Sequence, residues 1–233
     1  MLQVDLNGRF FVMDSIIPAD PRLQDGIGCW LERLTVNVTE GRPALFLDRD
    51  GVIVEETHYL CSPADVRLMD GVAEIIARCN ARNIPVIVVT NQAGIARGYY
   101  GWHEFEAVQA EIMRRLAMAG ARLDLVLACA YHHEGNAPYV VSGHAWRKPN
   151  PGMIRAAAEL LAVDLSRSVI VGDKISDLDA GAAAGLVRGM LVLSGYGRSE
   201  QAALHSSGRV QDAAFSVEDD LAGAVEAYFR SVT

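Results

Sequence analysis

Asp48 and Asp50 stand two residues apart at the end of the run Ala44-Leu45-Phe46-Leu47, and Gly51 follows them. Four small or apolar residues in a row read as a strand buried on both faces, with the two acids at its end. Residues i and i+2 point the same way from an extended chain. Their carboxylates can therefore share one small volume, where two negative charges repel unless a cation or a proton separates them. That is one reading of D-x-D-G. The other is an ordinary polar turn closed by Asp50-Gly51.

Three more strand-like runs end in polar residues that suit phosphate and magnesium chemistry, and a helical pattern follows each. Ile84-Pro85-Val86-Ile87-Val88-Val89-Thr90-Asn91-Gln92 puts a hydroxyl at a strand end. Arg147-Lys148-Pro149-Asn150-Pro151-Gly152 opens a helix with a cationic pair, and Ser168-Val169-Ile170-Val171-Gly172-Asp173-Lys174-Ile175-Ser176-Asp177 adds acids. In an open parallel sheet the ligand crevice lies beyond the carboxyl ends of the strands, so Asp48, Asp50, Thr90, Lys148 and Asp173 can converge there.

Read in order as D-x-D, T, K and GD-x-x-SD, the chain resembles the haloacid dehalogenase (HAD) superfamily of phosphatases over about residues 44–197. Asp48-Arg49-Asp50-Gly51, Thr90-Asn91-Gln92, Arg147-Lys148-Pro149 with Pro151-Gly152-Met153, and Gly172-Asp173-Lys174 are similar to its D,D-heptose 1,7-bisphosphate phosphatase branch, which also holds the histidinol-phosphate phosphatases. The resemblance implies a doubly wound, Rossmann-like α/β fold. It also implies hydrolysis of a small phosphorylated metabolite, with a sugar bisphosphate of the heptose type ahead of histidinol phosphate or a nucleotide phosphate. A silent binding protein on the same scaffold is disfavoured, because every motif residue is present.

The roles come with the resemblance. Asp48 would be the nucleophile that forms an aspartyl-phosphate, and Asp50 the general acid and then base. Thr90 and Lys148 would bind the transferring phosphoryl oxygens. Mg2+ would be held by Asp48, the backbone carbonyl of Asp50 and Asp173, hard oxygen ligands that suit it. Asn91, Gln92, Arg147 and Lys174 match positions that touch substrate, and Glu56, Thr57, His58 and Tyr59 occupy the substrate loop after the first motif. Asp177 would orient the metal shell, or equally cap the helix that follows it.

One part of the pattern departs. The family's loop before R-K-P carries C-x-H and later C-x-C for a structural zinc, whereas this chain reads Cys129-Ala130-Tyr131-His132-His133 and then His144-Ala145-Trp146. A substitute set of Cys129, His132, His133 and His144 can be drawn, but such sites usually draw on closely spaced thiolate pairs, so zinc is not expected.

The 233 residues are 51% hydrophobic and 21% charged, enough for one sizeable core. A net charge of −8 argues against nucleic acid as a partner. No apolar run approaches the roughly 18 residues a membrane span needs, and the four scattered cysteines read as reduced. The cytoplasm is the expected compartment, for a monomer or small homo-oligomer.

The elements that must position the motifs follow from periodicity. Helical stripes run over 71–83, 102–119, 151–161, 177–184 and 217–230, and strands over 123–131, 168–172 and 189–193. The alternation predicts a parallel sheet covered on both faces. Asp50 and Thr90 are too close for an inserted cap domain, so loops must do its work. Residues 1–43 form an N-terminal extension to a phosphatase domain over 44–233, with short strand-like pieces at Gly8–Met13 and Leu34–Val38.

Overall fold

The computed structural model describes residues 2–4, 10–12, 20–35, 38–206 and 214–231. The chain runs β1 (Leu2–Val4), β2 (Phe10–Val12), β3 (Cys29–Arg33), β4 (Leu45–Leu47), α1 (Val72–Ala81), β5 (Val86–Asn91), α2 (Ala93–Ala96) and α3 (Trp102–Met118). It continues through β6 (Leu125–Cys129), α4 (Gly152–Leu161), β7 (Val169–Gly172), α5 (Ile175–Ala184), β8 (Arg188–Val192), α6 (Gly197–Ser206), β9 (Phe215–Glu218) and α7 (Leu221–Ser231). Seven strands make the main sheet in the order β3-β6-β5-β4-β7-β8-β9, while β1 and β2 pair apart as an antiparallel ribbon.

β4, the strand that carries the D-x-D pair, is central. Alternate side chains of a strand face opposite ways. Leu45 and Leu47 therefore enter one core with Val86, Val88, Val169, Ile76, Phe105 and Val225, while Phe46 enters the other with Ile87, Val89, Ile170, Met153 and Ile154. Three consecutive fully buried residues are what an interior strand of a two-sided sheet requires. β4 pairs in parallel with β5 and β7, which brings the ends of the three motif-bearing strands side by side.

The sheet is not wholly parallel. β3 joins its edge antiparallel to β6, with Cys29 opposite Cys129 and Arg33 opposite Leu125. Residues 1–43 thus contribute β3, at Cys29–Arg33, to the main sheet, and Leu34 and Thr35 lie past its end. Trp30 fixes that register by burying its whole side chain. Residues 36 and 37, with Gly8, Arg9 and Met13, lie outside the described residues.

The carboxyl end also differs from the periodic reading, which ran one helix over 217–230. Phe215 and Val217 instead pack on the cluster of Leu178, Leu191 and Leu204 from an added parallel strand, β9. Asp220 then begins α7, its carboxylate accepting from Gly223 N at 2.8 Å. The helix Gly197–Ser206 was not anticipated.

A buried hydroxyl anchors the start of β4. Ser168 Oγ accepts from Ala44 N at 2.8 Å and donates to Asp164 O at 2.5 Å. Ser168→Ala should leave the Ala44 amide without a partner and cost about 1–3 kcal/mol in a urea unfolding titration, with kcat little changed. A variant as stable as the parent would remove the anchor from the account of β4.

Candidate active site

Asp48 follows β4 directly, and its amide donates to Val171 O at 3.0 Å, continuing the β4–β7 ladder. A tight turn comes next: Ile53 N and Val54 N both return to Arg49 O, and Gly51 N to Val54 O. Gly51 sits at φ 84, and a Cβ there would stand 2.3 Å from Asp173 Oδ2. Glycine is needed on both counts, for the left-handed backbone and for the close approach of the two loops.

Lys148 is the hub. Its Nζ, buried at 3% exposure, lies 3.0 Å from Asp48 Oδ1 and 2.6 Å from Asp177 Oδ1, and donates to Val89 O at 2.7 Å. Burial alone would lower its pKa, but the Asp177 and Asp48 carboxylates outweigh burial and hold it above the usual lysine value. Burial likewise works to raise Asp48, and the Lys148 and Lys174 charges overcome it, keeping this acid below the usual carboxylate range. A carboxylate held ionised is a carboxylate able to attack.

Asp173 is in a different state. Burial, and then the charge of Asp48, push its pKa up to about 7 against Lys174 and the Tyr196 amide. Its Oδ2 accepts from Tyr196 N at 2.9 Å, but its Oδ1 is among the buried polar atoms without a hydrogen-bond partner, with Lys174 Nζ 3.7 Å away. Carboxylate oxygens of Asp48, Asp173 and Asp177 all lie within 4.8 Å of one another. Three buried acids with one oxygen unpaired form an all-oxygen donor set that fits a small hard cation such as Mg2+. Both readings of Asp177 find support: Oδ1 faces the cluster, while Oδ2 accepts from Lys174 N at 3.0 Å and caps α5.

Above the cluster lies a cavity of about 550 Å³, lined by Asp48, Asp50, Arg147, Lys148, Lys174 and Tyr196 among others. Glu56, His58 and Tyr59 also line it, but Thr57 does not; it faces a separate hollow with Cys61 and Arg67. Glu56 accepts from His58 N at 2.7 Å and stands 3.8 Å from Lys174 Nζ. Arg147 is held by a bond from its Nη1 to Tyr131 O at 3.0 Å.

Asn91 and Gln92 border the cavity, yet their amides are turned to the protein. Asn91 clamps Lys148 from both sides, Nδ2 to its carbonyl at 3.0 Å and Oδ1 from its amide at 3.1 Å. Gln92 Nε2 donates to Asp50 Oδ2 and Thr90 Oγ1, and its Oε1 accepts from Arg49 and from Tyr100. Their expected role against substrate becomes one of support. Thr90 itself is buried beneath the cavity floor at 1% exposure. Tyr100 and Tyr196 were missed; each follows a glycine-bearing turn, which marks a loop but not its target.

The drawn zinc set is split apart. His144 Nδ1 lies 3.8 Å from Cys129 Sγ and its Nε2 3.9 Å from Cys29 Sγ, while His132 and His133 stack on each other beside Glu134. No single ring nitrogen of His144 faces both sulfurs. Asp25, the nearby carboxylate, is already engaged by three backbone amides and the Tyr131 hydroxyl. Burial pushes the Cys129 thiol up to about 11, so it stays protonated near neutral pH.

Fold and site together define a phosphoric monoester hydrolase of the HAD-like class, and a family model described as HAD-hydrolase-like matches residues 145–224. Over 166 residues, 71% of this chain and 76% of the relative, the sequence is 50% identical to a D-glycero-beta-D-manno-heptose-1,7-bisphosphate 7-phosphatase of Mesorhizobium japonicum. A HAD-like phosphatase from Mesorhizobium loti superposes with TM-score 0.71 at 48% identity, covering 74% of this chain and 83% of that one. A D,D-heptose 1,7-bisphosphate phosphatase from B. bronchiseptica, solved with magnesium and phosphate, gives 0.68 at 32%, covering 81% and 99%. The chain belongs to the heptose bisphosphate phosphatase family of HAD-like hydrolases. Among the described residues no helix is long and apolar enough to cross a membrane.

Because Cys129, His132, His133 and His144 do not meet around one point, purified protein should carry well under one zinc per chain by elemental analysis, and Cys129→Ala should cost little stability. Stoichiometric zinc, lost together with the fold in that variant, would contradict this arrangement.

Proposed function

We propose that the chain hydrolyses the 7-phosphate of a D-glycero-D-manno-heptose 1,7-bisphosphate, with Asp48 as nucleophile. The convergence of Asp48 and Asp177 on Lys148, with the Asp173 carboxylate beside them below an open cavity, carries the chemistry. The names of the relatives carry the substrate.

Asp48 attacks phosphorus, and the bond to the sugar oxygen breaks as the aspartyl-phosphate forms. Lys148 faces the phosphoryl oxygens, where negative charge gathers, while Thr90, buried beneath the floor, accepts from Gln92 and supports the site from below. Asp50 gives its proton to the departing sugar oxygen. Asp50 then takes a proton from water, whose oxygen attacks phosphorus and returns Asp48 as a free carboxylate. Asp48, Asp173 and the backbone carbonyl of Asp50 would hold Mg2+, which when bound supplies the positive charge that lets two anions approach. Asp173 Oδ1, buried without a partner, supports that assignment.

Specificity falls to loops. Arg147 and Lys174 offer the cavity two cations beyond Lys148, and Glu56, His58 and Tyr59 offer polar groups for sugar hydroxyls. In this reading residues 1–43 are an extension of the 44–233 catalytic domain, supported by the pairing of β3 with β6. The relatives' names support an enzyme of carbohydrate metabolism, and the net charge of −8 speaks against a nucleic-acid partner; the reading is completed by a cytoplasmic location and a monomer or small homo-oligomer without membrane partners.

Two experiments test this. With Mg2+ the protein should release phosphate from the heptose bisphosphate, and EDTA should abolish the release; a folded Asp48→Asn should lose at least 1,000-fold, about 4 kcal/mol of barrier. Near-normal turnover by that variant would remove the nucleophile assignment. Arg147→Ala should lower kcat/KM on the bisphosphate at least tenfold, about 1.4 kcal/mol, and on p-nitrophenyl phosphate much less, because that ester has no remote group to hold. Equal losses on both esters would place Arg147 in the chemical step or in the fold.

A further inference from the structure

The group most heavily engaged around Asp50 belongs to a residue given no role so far. Arg49 is buried at 1% exposure, although its neighbours Asp48 and Asp50 face the cavity. Its Nε and Nη2 lie 3.1 and 3.0 Å from Asp50 Oδ1, and Nη2 lies 2.9 Å from Asp50 Oδ2. Gln92 Nε2 adds a donor to Oδ2 at 3.0 Å, and Gln92 is itself oriented by Thr90, Tyr100 and Arg49. Both oxygens of Asp50 are thus gripped from behind, while the carboxylate keeps 19% exposure toward the cavity. A turn that only needed to be polar would not bury a guanidinium for it, given the cost of desolvating the charge.

What makes that burial tolerable is aromatic. The Arg49 guanidinium carbon lies 5.2 Å from the Phe105 ring centroid. Its Nη1 has no hydrogen-bond partner, so the ring's electron-rich face supplies compensation that hydrogen bonding leaves incomplete. Phe105 is held edge-on by Trp102 at 5.3 Å and by Trp30 at 5.4 Å, and the two indoles stack at 5.4 Å. Trp30 lies in β3, and Arg22 covers it from outside at 4.2 Å, tied to Asp20 and Glu106. Trp102 Nε1 also donates to Ile27 O at 2.7 Å, binding the start of α3 to the segment before β3.

We propose that Arg49 is a positioning residue for the acid–base carboxylate of Asp50, and that edge strand β3 takes part by supplying, through Trp30, the support behind the Phe105 ring on which Arg49 rests. This depends on the reading of Asp50 above. It gives part of the extension a task in catalysis. A proton donor and acceptor must meet the sugar oxygen and then the water in a fixed geometry, and a fork gripping both carboxylate oxygens fixes it.

The test uses the full chain and four variants checked by circular dichroism: Asp50→Asn, Arg49→Lys, Phe105→Leu and Trp30→Leu. Lysine keeps the charge and loses the fork, so kcat on the heptose bisphosphate should fall at least tenfold, with KM changed less than about threefold. Phe105→Leu and Trp30→Leu should act in the same direction more weakly, and they read the aromatic side should Arg49→Lys not fold. None of the three should lower kcat further by more than about twofold in the Asp50→Asn background, since the group they position is already lost.

A second readout separates positioning from damage. 2,4-Dinitrophenyl phosphate has a leaving group that needs no acid, so Arg49→Lys should give a full burst of dinitrophenol, near one per active site, followed by slow turnover limited by the base step. Parental kcat in Arg49→Lys, losses that multiply with Asp50→Asn, or a burst shrinking in step with the rate would each overturn the proposal. Unimpaired turnover by Asp50→Asn would instead remove the reading of Asp50 on which it rests.

Discussion

A lysine ammonium buried among three carboxylates is the constraint the rest of this molecule serves. Taking such charges out of water costs several kcal/mol per ion, and their attraction offsets that only if each partner is held in place. The fold does the holding. β4 delivers Asp48, β7 delivers Asp173, the first turn of α5 delivers Asp177, and the Asn91 amide fixes the backbone of Lys148 from the end of β5. They come from the ends of three neighbouring strands, and only a sheet with β4 between β5 and β7 lets them meet.

The cluster is also unbalanced, and the imbalance has a direction. Lys148 serves Asp48 and Asp177, which leaves Asp173 with a raised pKa and an unpaired oxygen. If its folded pKa lies above its unfolded one, Asp173 opposes folding once pH rises past its ordinary value near 4, and the penalty grows until pH passes its folded value. A cation bound there removes the penalty. The same arrangement that weakens the fold without metal therefore favours metal uptake, and a stability cost becomes binding affinity.

Much of this was legible because the motifs and the buried strands coincide. Apolar runs such as Ala44–Leu47 and Val86–Val89 admit one explanation when acids and a hydroxyl stand at their ends, and the ordered spacing left little freedom in topology. The shortfalls have physical reasons. β3 carries one anchor, Trp30, in an otherwise mixed run, and its partner β6 lies 92 residues on from its end, so no local period reveals the antiparallel edge. β9 reads as helix because Val217, Leu221 and Val225 fall at helical spacing, although Val217 packs on Leu191 and Leu204. Gln92 was expected to face substrate, and the sequence assigned Arg49 no role. Their burial depends on Phe105 and Tyr100, and the turn itself carries no sign of it.

The loop after the D-x-D turn shows how a capless site can close off its substrate without a moving domain. His58 and Tyr59 hold positive φ values of 51 and 75, a left-handed stretch that costs non-glycine residues about 1–3 kcal/mol each where nothing stabilises it. Here four contacts over-determine it. Glu56 takes the His58 amide, Tyr196 meets the His58 ring at 2.8 Å, Arg97 bonds the Tyr59 hydroxyl, and Tyr99 packs on its ring at 4.6 Å. Those contacts come from the loops after β4, β5 and β8, so the strained segment is a strut across the cavity mouth. Building the wall in advance transfers the ordering cost from the binding step to folding, which leaves more of the substrate's contact energy to act at the scissile bond. A moving cap would draw on that energy at every turnover.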